Sequence, residues 1–308
     1  MASGIVFAYS EVGVRCLEVL VRQGLSVPLL FTHADDPGET RWFGSVAQLA
    51  ERQGIPTVMP DDPNRPEWLA RGRALAPDFL FSFYYRHMLG ADWLRLPSRG
   101  ALNMHGSLLP SYRGRAPVHW AILNGEAQTG ASLHYMLEKP DAGALVDQQA
   151  VPIRLNDDAL TVSRAVAGAA ALVLARSLPA LLAGTAPAVP LDLASGSYFG
   201  RRRPEDGRID WRQGSRRIHD LVRAVAPPFP GAFSEVRGMK TFFWETRLDD
   251  GAPRHPGQAP CLYLQPDGWY ADCLDGRRLR LTRLAVEGRE LDAGEIPSGW
   301  SEQPVPLH

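Results

Sequence analysis

Asn103 and His105 stand two positions apart at the head of a stretch that reads Asn-Met-His-Gly-Ser-Leu-Leu-Pro-Ser-Tyr-Arg-Gly-Arg-Ala-Pro. They close an apolar run that begins at Gly100, and as a strand this run projects both side chains from one face. The segment 106–117 carries glycine, serine, two prolines and two arginines, the composition of an ordered loop leaving a strand end, where binding groups concentrate. A carboxylate is available at Asp141, in the turn-like Leu137-Glu-Lys-Pro-Asp-Ala-Gly between the alternating runs 131–137 and 144–153. Asn, His and Asp together suit acyl transfer to an amine. The amide donates to an oxygen becoming an oxyanion, the imidazole moves protons, and the carboxylate holds the imidazole and raises its pKa. Taken singly, His105 reads as a hydrogen-bonded core histidine and Asp141 as a turn former; their combination with the loop favours a catalytic centre.

The strings Asn103-x-His105-x-Ser107-Leu108-Leu109-Pro110, Arg113-Gly114 and Asp141-x-Gly143 resemble the signature of the N10-formyltetrahydrofolate-dependent formyltransferases. Phe31-Thr-His, Gly44-Ser-Val-Ala, Phe81-Ser-Phe-Tyr-Tyr-Arg-His, Arg113-Gly-Arg-Ala-Pro and Pro230-Gly-Ala-Phe-Ser are similar to the formyltransferase half of the bifunctional polymyxin-resistance proteins. Those proteins formylate UDP-4-amino-4-deoxy-L-arabinose in lipid A modification. The resemblance covers nearly the whole chain and thins after about Leu248. It implies N10-formyltetrahydrofolate as donor, held by the backbone of His87, Met88 and Leu89, by Leu137, Glu138, Lys139, Pro140 and Asp141, and by Arg115. A nucleotide-linked amino sugar is the implied acceptor, with Asn103, His105 and Asp141 as the catalytic set. The bifunctional proteins continue into a dehydrogenase half where this sequence ends at His308, so any decarboxylation is expected from another polypeptide.

The 308 residues allow two domains with sizeable cores, and 45% hydrophobic with 22% charged residues is the balance of a soluble globular protein. Lys+Arg 33 against Asp+Glu 34 leaves no basic excess for nucleic acid. The three scattered cysteines, Cys16, Cys261 and Cys273, form neither a disulfide framework nor a metal motif, which suits a reducing cytoplasm. No secretory leader is apparent at the N-terminus, and the most apolar segment, 166–182, is short and interrupted by Arg176 and Pro179, so no membrane span is expected. Nothing in the sequence sets an oligomeric state.

The elements that must position the site are legible from periodicity. An apolar run at 5–9, helical spacing through Val12, Leu17, Val19 and Leu20, and a second apolar run at 27–31 open a βαβ unit. The turn after the first strand lacks Gly-x-Gly-x-x-Gly, so the fold is Rossmann-like without a dinucleotide cradle. A helix at 45–52, a strand near 56–58, a helix near 66–75 and a buried strand at 79–83 continue the alternation of a mostly parallel sheet. Tyr84 and Tyr85 at its edge read either as aromatic plugs or as a stacking surface for a pteridine; the resemblance favours the latter. A helix at 159–182 and a Pro/Gly/Ala-rich linker at 183–190 end a catalytic domain of residues 1–190. Alternating segments between 232 and 283 suggest a small β-barrel in residues 191–308, which the resemblance makes OB-like. Near the junction, Tyr198 and the run Arg201, Arg202, Arg203 could seat a pyrophosphate, the alternative being a solvated charge run. His33, His119, His134, His219 and His255 are read as structural or exposed.

Three rival functions stand beside this one, the first a formyltransferase for another nucleotide-linked amino sugar, which would share the fold and the catalytic set. A methionyl-tRNA formyltransferase would share the catalytic string, but that group carries a basic loop after the second strand, where this chain has acidic Asp35, Asp36 and Glu39, and more often has Ala in place of Arg115. A catalytically silent folate- or nucleotide-binding sensor is opposed by the intact Asn103, His105 and Asp141.

Overall fold

Residues 2–35, 40–292 and 294–308 are described in a computed structural model of the chain, so Asp36 and Glu39 of the acidic loop lie outside them. Compactness divides the chain into a unit of Met1–Pro117, Gln128–Pro152 and Ser163–Gly200 and a second of Val118–Ala127, Ile153–Val162 and Arg201–His308.

In the first unit β1 (Gly4–Ala8), α1 (Ser10–Arg22), β2 (Leu30–Phe31), α2 (Val46–Arg52), β3 (Thr57–Val58), α3 (Pro66–Leu75), β4 (Phe79–Phe83), α4 (Ala91–Arg95) and β5 (Ala101–His105) alternate, with the short α4 an addition to the expected elements. β1 and β4 are buried at every residue, which is why they read as continuous apolar runs with no polar face. β2 is shorter than the run 27–31 because Pro28 has no N–H to give a sheet ladder. Ser45 caps α2 by accepting the Gln48 N–H at 3.3 Å. Phe7 of β1 stacks on Phe31 of β2 at 4.3 Å, and burying each such ring stabilises the unit by about 1.5–3 kcal/mol.

The chain continues through β6 (Arg113–Gly114), α5 (Pro117–Leu123), β7 (Gln128–Tyr135), β8 (Leu145–Pro152), α6 (Ala159–Ala183) and β9 (Tyr198–Phe199). The main sheet has the order β3-β2-β1-β4-β5-β7-β8, parallel as far as β5 and antiparallel beyond it. Strand order reverses direction at β1, so ligand-binding groups are expected beyond the carboxyl ends of β1, β4 and β5. β6 and β9 form a separate parallel pair.

Arg176 and Pro179 interrupt the apolar run of α6 but not the helix. At 25 residues, and with mean hydropathy 1.8 in its most apolar window, α6 is the one helix among the described residues long and apolar enough to cross a membrane. Half of that window is buried, and Arg176 is bound to Asp147 and Gln149 of β8, the attachment of a core helix.

In the second unit α7 (Ser215–Val225) precedes β10 (Ala232–Val236), β11 (Met239–Asp249), β12 (Cys261–Gln265), β13 (Gly268–Asp272), β14 (Arg278–Val286), β15 (Arg289–Glu290) and β16 (Val305–Pro306). The sheet order β10-β11-β14-β13-β12-β16, with β15 added beside β14, leaves β10 and β16 as its ends, an antiparallel half-barrel. Trp211, Phe243, Trp269 and Trp300 fill its core together with Ile218 and Val222 of α7.

Candidate active site

β5 ends with Leu102 and Met104 buried on one face, and Asn103 and His105 together on the other. The antiparallel register places His134 of β7 opposite Asn103 and Ser132 opposite His105. Asp141 reaches the same point from the β7–β8 turn, with its Oδ1 at 3.4 Å from Asn103 Nδ2, 3.5 Å from His105 Nδ1 and 3.5 Å from His134 Nε2. Its Oδ2 accepts the Gly114 N–H at 2.9 Å. The three residues whose types and spacing suggested chemistry thus converge on one point. His134, read from sequence as structural or exposed, is a fourth member: it is buried, and its Nε2 lies 3.2 Å from Asn103 Nδ2. Its signal was the alternation of run 131–137, which puts it on the face of Ser132, but the partner across the ladder depends on register.

Hydrogen-bond partners settle the tautomers. His134 Nδ1 donates to the Tyr135 carbonyl at 2.8 Å, leaving Nε2 to accept from Asn103, so the Asn103 amide directs its nitrogen at His134 and Asp141. His105 Nε2 donates to the Tyr112 carbonyl at 2.8 Å, so in the neutral ring the Nδ1 lone pair faces the Asp141 carboxylate. Burial pushes His105 below its ordinary pKa; Asp141 raises it as expected, but by less than burial lowers it. Burial would raise the Asp141 carboxyl, but the neighbouring His105 and the Gly114 N–H bring it down to about 2. At neutral pH the arrangement is an ionised carboxylate beside a neutral imidazole, able to take a proton at Nδ1 and stabilise the imidazolium formed.

Close backbone approach holds this geometry. Ser132 Oγ donates to the Ser107 carbonyl at 2.7 Å and accepts the Leu109 N–H at 3.1 Å, fixing the loop that leaves β5. A Cβ on Gly106 would sit 1.8 Å from the Tyr84 hydroxyl oxygen, and one on Gly143 1.8 Å from the Tyr135 carbonyl oxygen. Both positions therefore require glycine.

The remaining candidate residues are spread over several surfaces. His87 and Met88 are exposed and Leu89 is buried; Asn64 donates to the Met88 carbonyl at 3.0 Å and accepts the Gly90 N–H at 2.8 Å, so this backbone segment is held in shape. Tyr84 is packed with its hydroxyl against Gly106, and Tyr85 stacks on His33 at 4.2 Å and meets Phe7 edge-on, so both serve as packing groups. Leu137, Glu138 and Lys139 are exposed, Pro140 is half-buried, and Arg115 is exposed with its N–H on the Phe199 carbonyl. Tyr198 is exposed on β9. In the second unit Arg202 lies over the Trp120 ring at 4.9 Å and donates to the Asp206 carbonyl, while Arg201 and Arg203 are exposed. Among the described residues no group of three or more His, Cys, Asp or Glu side chains is placed to hold a metal ion.

The fold agrees with solved structures. An N-formyltransferase from Helicobacter canadensis, in complex with folinic acid and dTDP-3-aminofucose, superposes with a TM-score of 0.74 at 19% identity, over 91% of this chain and 99% of that one. WlaRD, a sugar 3N-formyl transferase with dTDP and 5-N-formyl-THF, gives 0.71 at 16% identity over 96% and 99%. HypX from Aquifex aeolicus, in complex with tetrahydrofolic acid, gives 0.62 at 18% identity over 91% of this chain and 43% of that one. Residues 22–178 match the formyl transferase family and residues 202–298 match the formyl transferase C-terminal domain. Both regions of the family occur here in order along one chain, which belongs to the formyl transferase family and is a formyltransferase.

Proposed function

We propose that this enzyme transfers the formyl group of N10-formyltetrahydrofolate to the amino group of a nucleotide-linked sugar, with UDP-4-amino-4-deoxy-L-arabinose as the acceptor. The observation that carries the reading is the convergence of Asn103, His105 and Asp141 on one buried point at a strand end. The sugar N-formyltransferases of like fold support the substrate class, since each is covered over 99% of its own length. The absence of a basic excess, with formal net charge -1, supports a small anionic acceptor over tRNA.

In this mechanism the neutral sugar amine attacks the formyl carbon. A C–N bond forms, and the carbonyl oxygen becomes an oxyanion beside Asn103. The Asn103 N–H contacts to His134 and Asp141, at 3.2 and 3.4 Å, are at or beyond the long end of hydrogen bonding, so one N–H can turn to the oxyanion. Loss of such a donor costs about 10²–10³ in turnover. His105 Nδ1 takes the proton from the attacking nitrogen while Asp141 stabilises the imidazolium. The proton passes to departing N10 as its bond to the formyl carbon breaks.

The donor lies against the backbone of 87–89 and the 137–141 turn, with Arg115 beside it, and Tyr198 and Arg201–Arg203 bind the nucleotide. The experiment is a formylation panel of UDP- and dTDP-amino sugars and charged initiator tRNA, each with N10-formyltetrahydrofolate. A UDP-linked 4-amino sugar is expected to be the best acceptor. Faster formylation of Met-tRNA than of any nucleotide sugar would overturn the acceptor assignment and leave formyl transfer standing.

A further inference from the structure

The loop beside the catalytic point holds a buried arginine with no counter-charge among the described residues. Arg113 is 8% exposed, and its Nε is enclosed without a hydrogen-bond partner. No ion pair or hydrogen bond engages its guanidinium among the described residues. Arg223, comparably buried at 5%, shows the ordinary arrangement: its Nε donates to Asp220 at 2.7 Å and its Nη1 donates to the Asp157 carbonyl at 2.9 Å.

The backbone around Arg113 has little freedom to carry the charge out to water. Tyr112 offers its carbonyl to His105 and its N–H to Ser197 Oγ at 2.8 Å; Arg113 N–H reaches the Ser197 carbonyl at 3.0 Å; Gly114 N–H is bound to Asp141. The one carboxylate tied to this segment, Asp141, is already shared among Gly114, Asn103, His105 and His134. A largely buried guanidinium whose Nε donor is enclosed and unspent disfavours the unliganded protein and favours any anion that reaches it. Its planar fork matches the oxygens of phosphate or carboxylate.

We propose that Arg113 is an anion-binding residue of the acceptor site, seating a phosphate group of the nucleotide-linked substrate through charge-assisted hydrogen bonds. Naming the acceptor's phosphate rests on the proposed function; the anion site itself rests on the buried guanidinium. Arg113 belongs to the first compact unit and the Arg201–Arg203 run to the second.

Inorganic pyrophosphate is the probe, used on the full chain in wild type, Arg113→Met and Arg113→Lys. In wild type it should inhibit competitively against the nucleotide sugar, not against the folate, and should raise Tm. Arg113→Met should raise the acceptor KM and the pyrophosphate inhibition constant by ~10–100-fold with the folate KM unchanged. Arg113→Lys, which keeps a point charge without the fork, should fall between. Because the Met variant removes an unpaired buried charge, its unliganded Tm should rise above wild type, whereas loss of a structural arginine would lower it. A fall in Tm with both KM values rising together overturns the proposal, as does competition of pyrophosphate with folate. If Arg113→Met does not fold, loss of the pyrophosphate-induced Tm shift in Arg113→Lys supports the site and an unchanged shift overturns it. If wild type formylates no nucleotide-linked amine yet pyrophosphate still raises its Tm and not that of Arg113→Met, the anion site stands and the acceptor class falls.

Discussion

Replacing Asp141 by Asn tests the centre most directly. Asp141 has φ 51°, a left-handed conformation that Asn adopts more readily than Ala, so Asp141→Asn removes the charge without the ~1 kcal/mol or more of backbone strain that Ala would add. The amide oxygen can keep the Gly114 N–H bond, now at 2.9 Å, while the amide nitrogen would face the His105 Nδ1 lone pair and occupy the site where the proton must arrive. The carboxyl is held at about 2 against an ordinary 3.8, a depression worth roughly 2 kcal/mol of stability at neutral pH. Because the folded value is the lower one, that stabilisation is complete above about pH 4 and disappears as pH falls towards 2. Turnover should suffer more than stability: without the anion that stabilises the His105 imidazolium, kcat should drop by ~10²–10⁴-fold. On the proposed binding mode the donor is held largely through backbone, so folate affinity should change less than about threefold. The assay is steady-state kinetics with a folate titration, run well below the variant's Tm. A kcat within about threefold of wild type would remove Asp141, and with it the proton path through His105, from the mechanism.

Three further outcomes are expected. His134→Ala should lower kcat about tenfold with folate KM unchanged, and His134→Gln, which retains an acceptor for the Asn103 amide, should lose less; equal losses would deny His134 its positioning role. Replacing Arg201, Arg202 and Arg203 together by Ala should raise the KM for the nucleotide sugar with little change in folate binding, and an unchanged KM would return the run to a solvated charge cluster. Burial lowers His119 to about 4 against the opposing hydrogen bond to Ala224, so protons bind the unfolded chain first as pH falls below 6.5. Stability should therefore decline between pH 6.5 and 4 by up to ~3 kcal/mol. In urea unfolding His119→Gln should show a shallower decline over that window, and a parallel one would refute the assignment.

Most of the elements are legible in the amino-acid sequence because they rest on local chemistry. β1 and β4 are buried on both faces and spell themselves as apolar runs, Ser45 announces the start of α2, and the two-residue spacing of Asn103 and His105 sets their common face. The family is legible too, since the Asn-x-His-x-Ser-Leu-Leu-Pro string lies in one contiguous stretch. Features that depend on pairing between distant segments emerge only on folding. His134 joins the site because the β5–β7 register sets it opposite Asn103, and shifting that ladder by one residue would turn it to the other face. The His105 proton balance is decided by burial, which outweighs the raising effect of Asp141 that the neighbouring residues foretell. Pro179 and Arg176 read as interruptions of α6, yet the helix continues because its buried face and the Asp147 contact outweigh the local penalty. The unpaired charge of Arg113 is likewise tertiary: the sequence shows Arg113-Gly114 only as part of the signature, and the packed structure shows that among the described residues no carboxylate pairs with it.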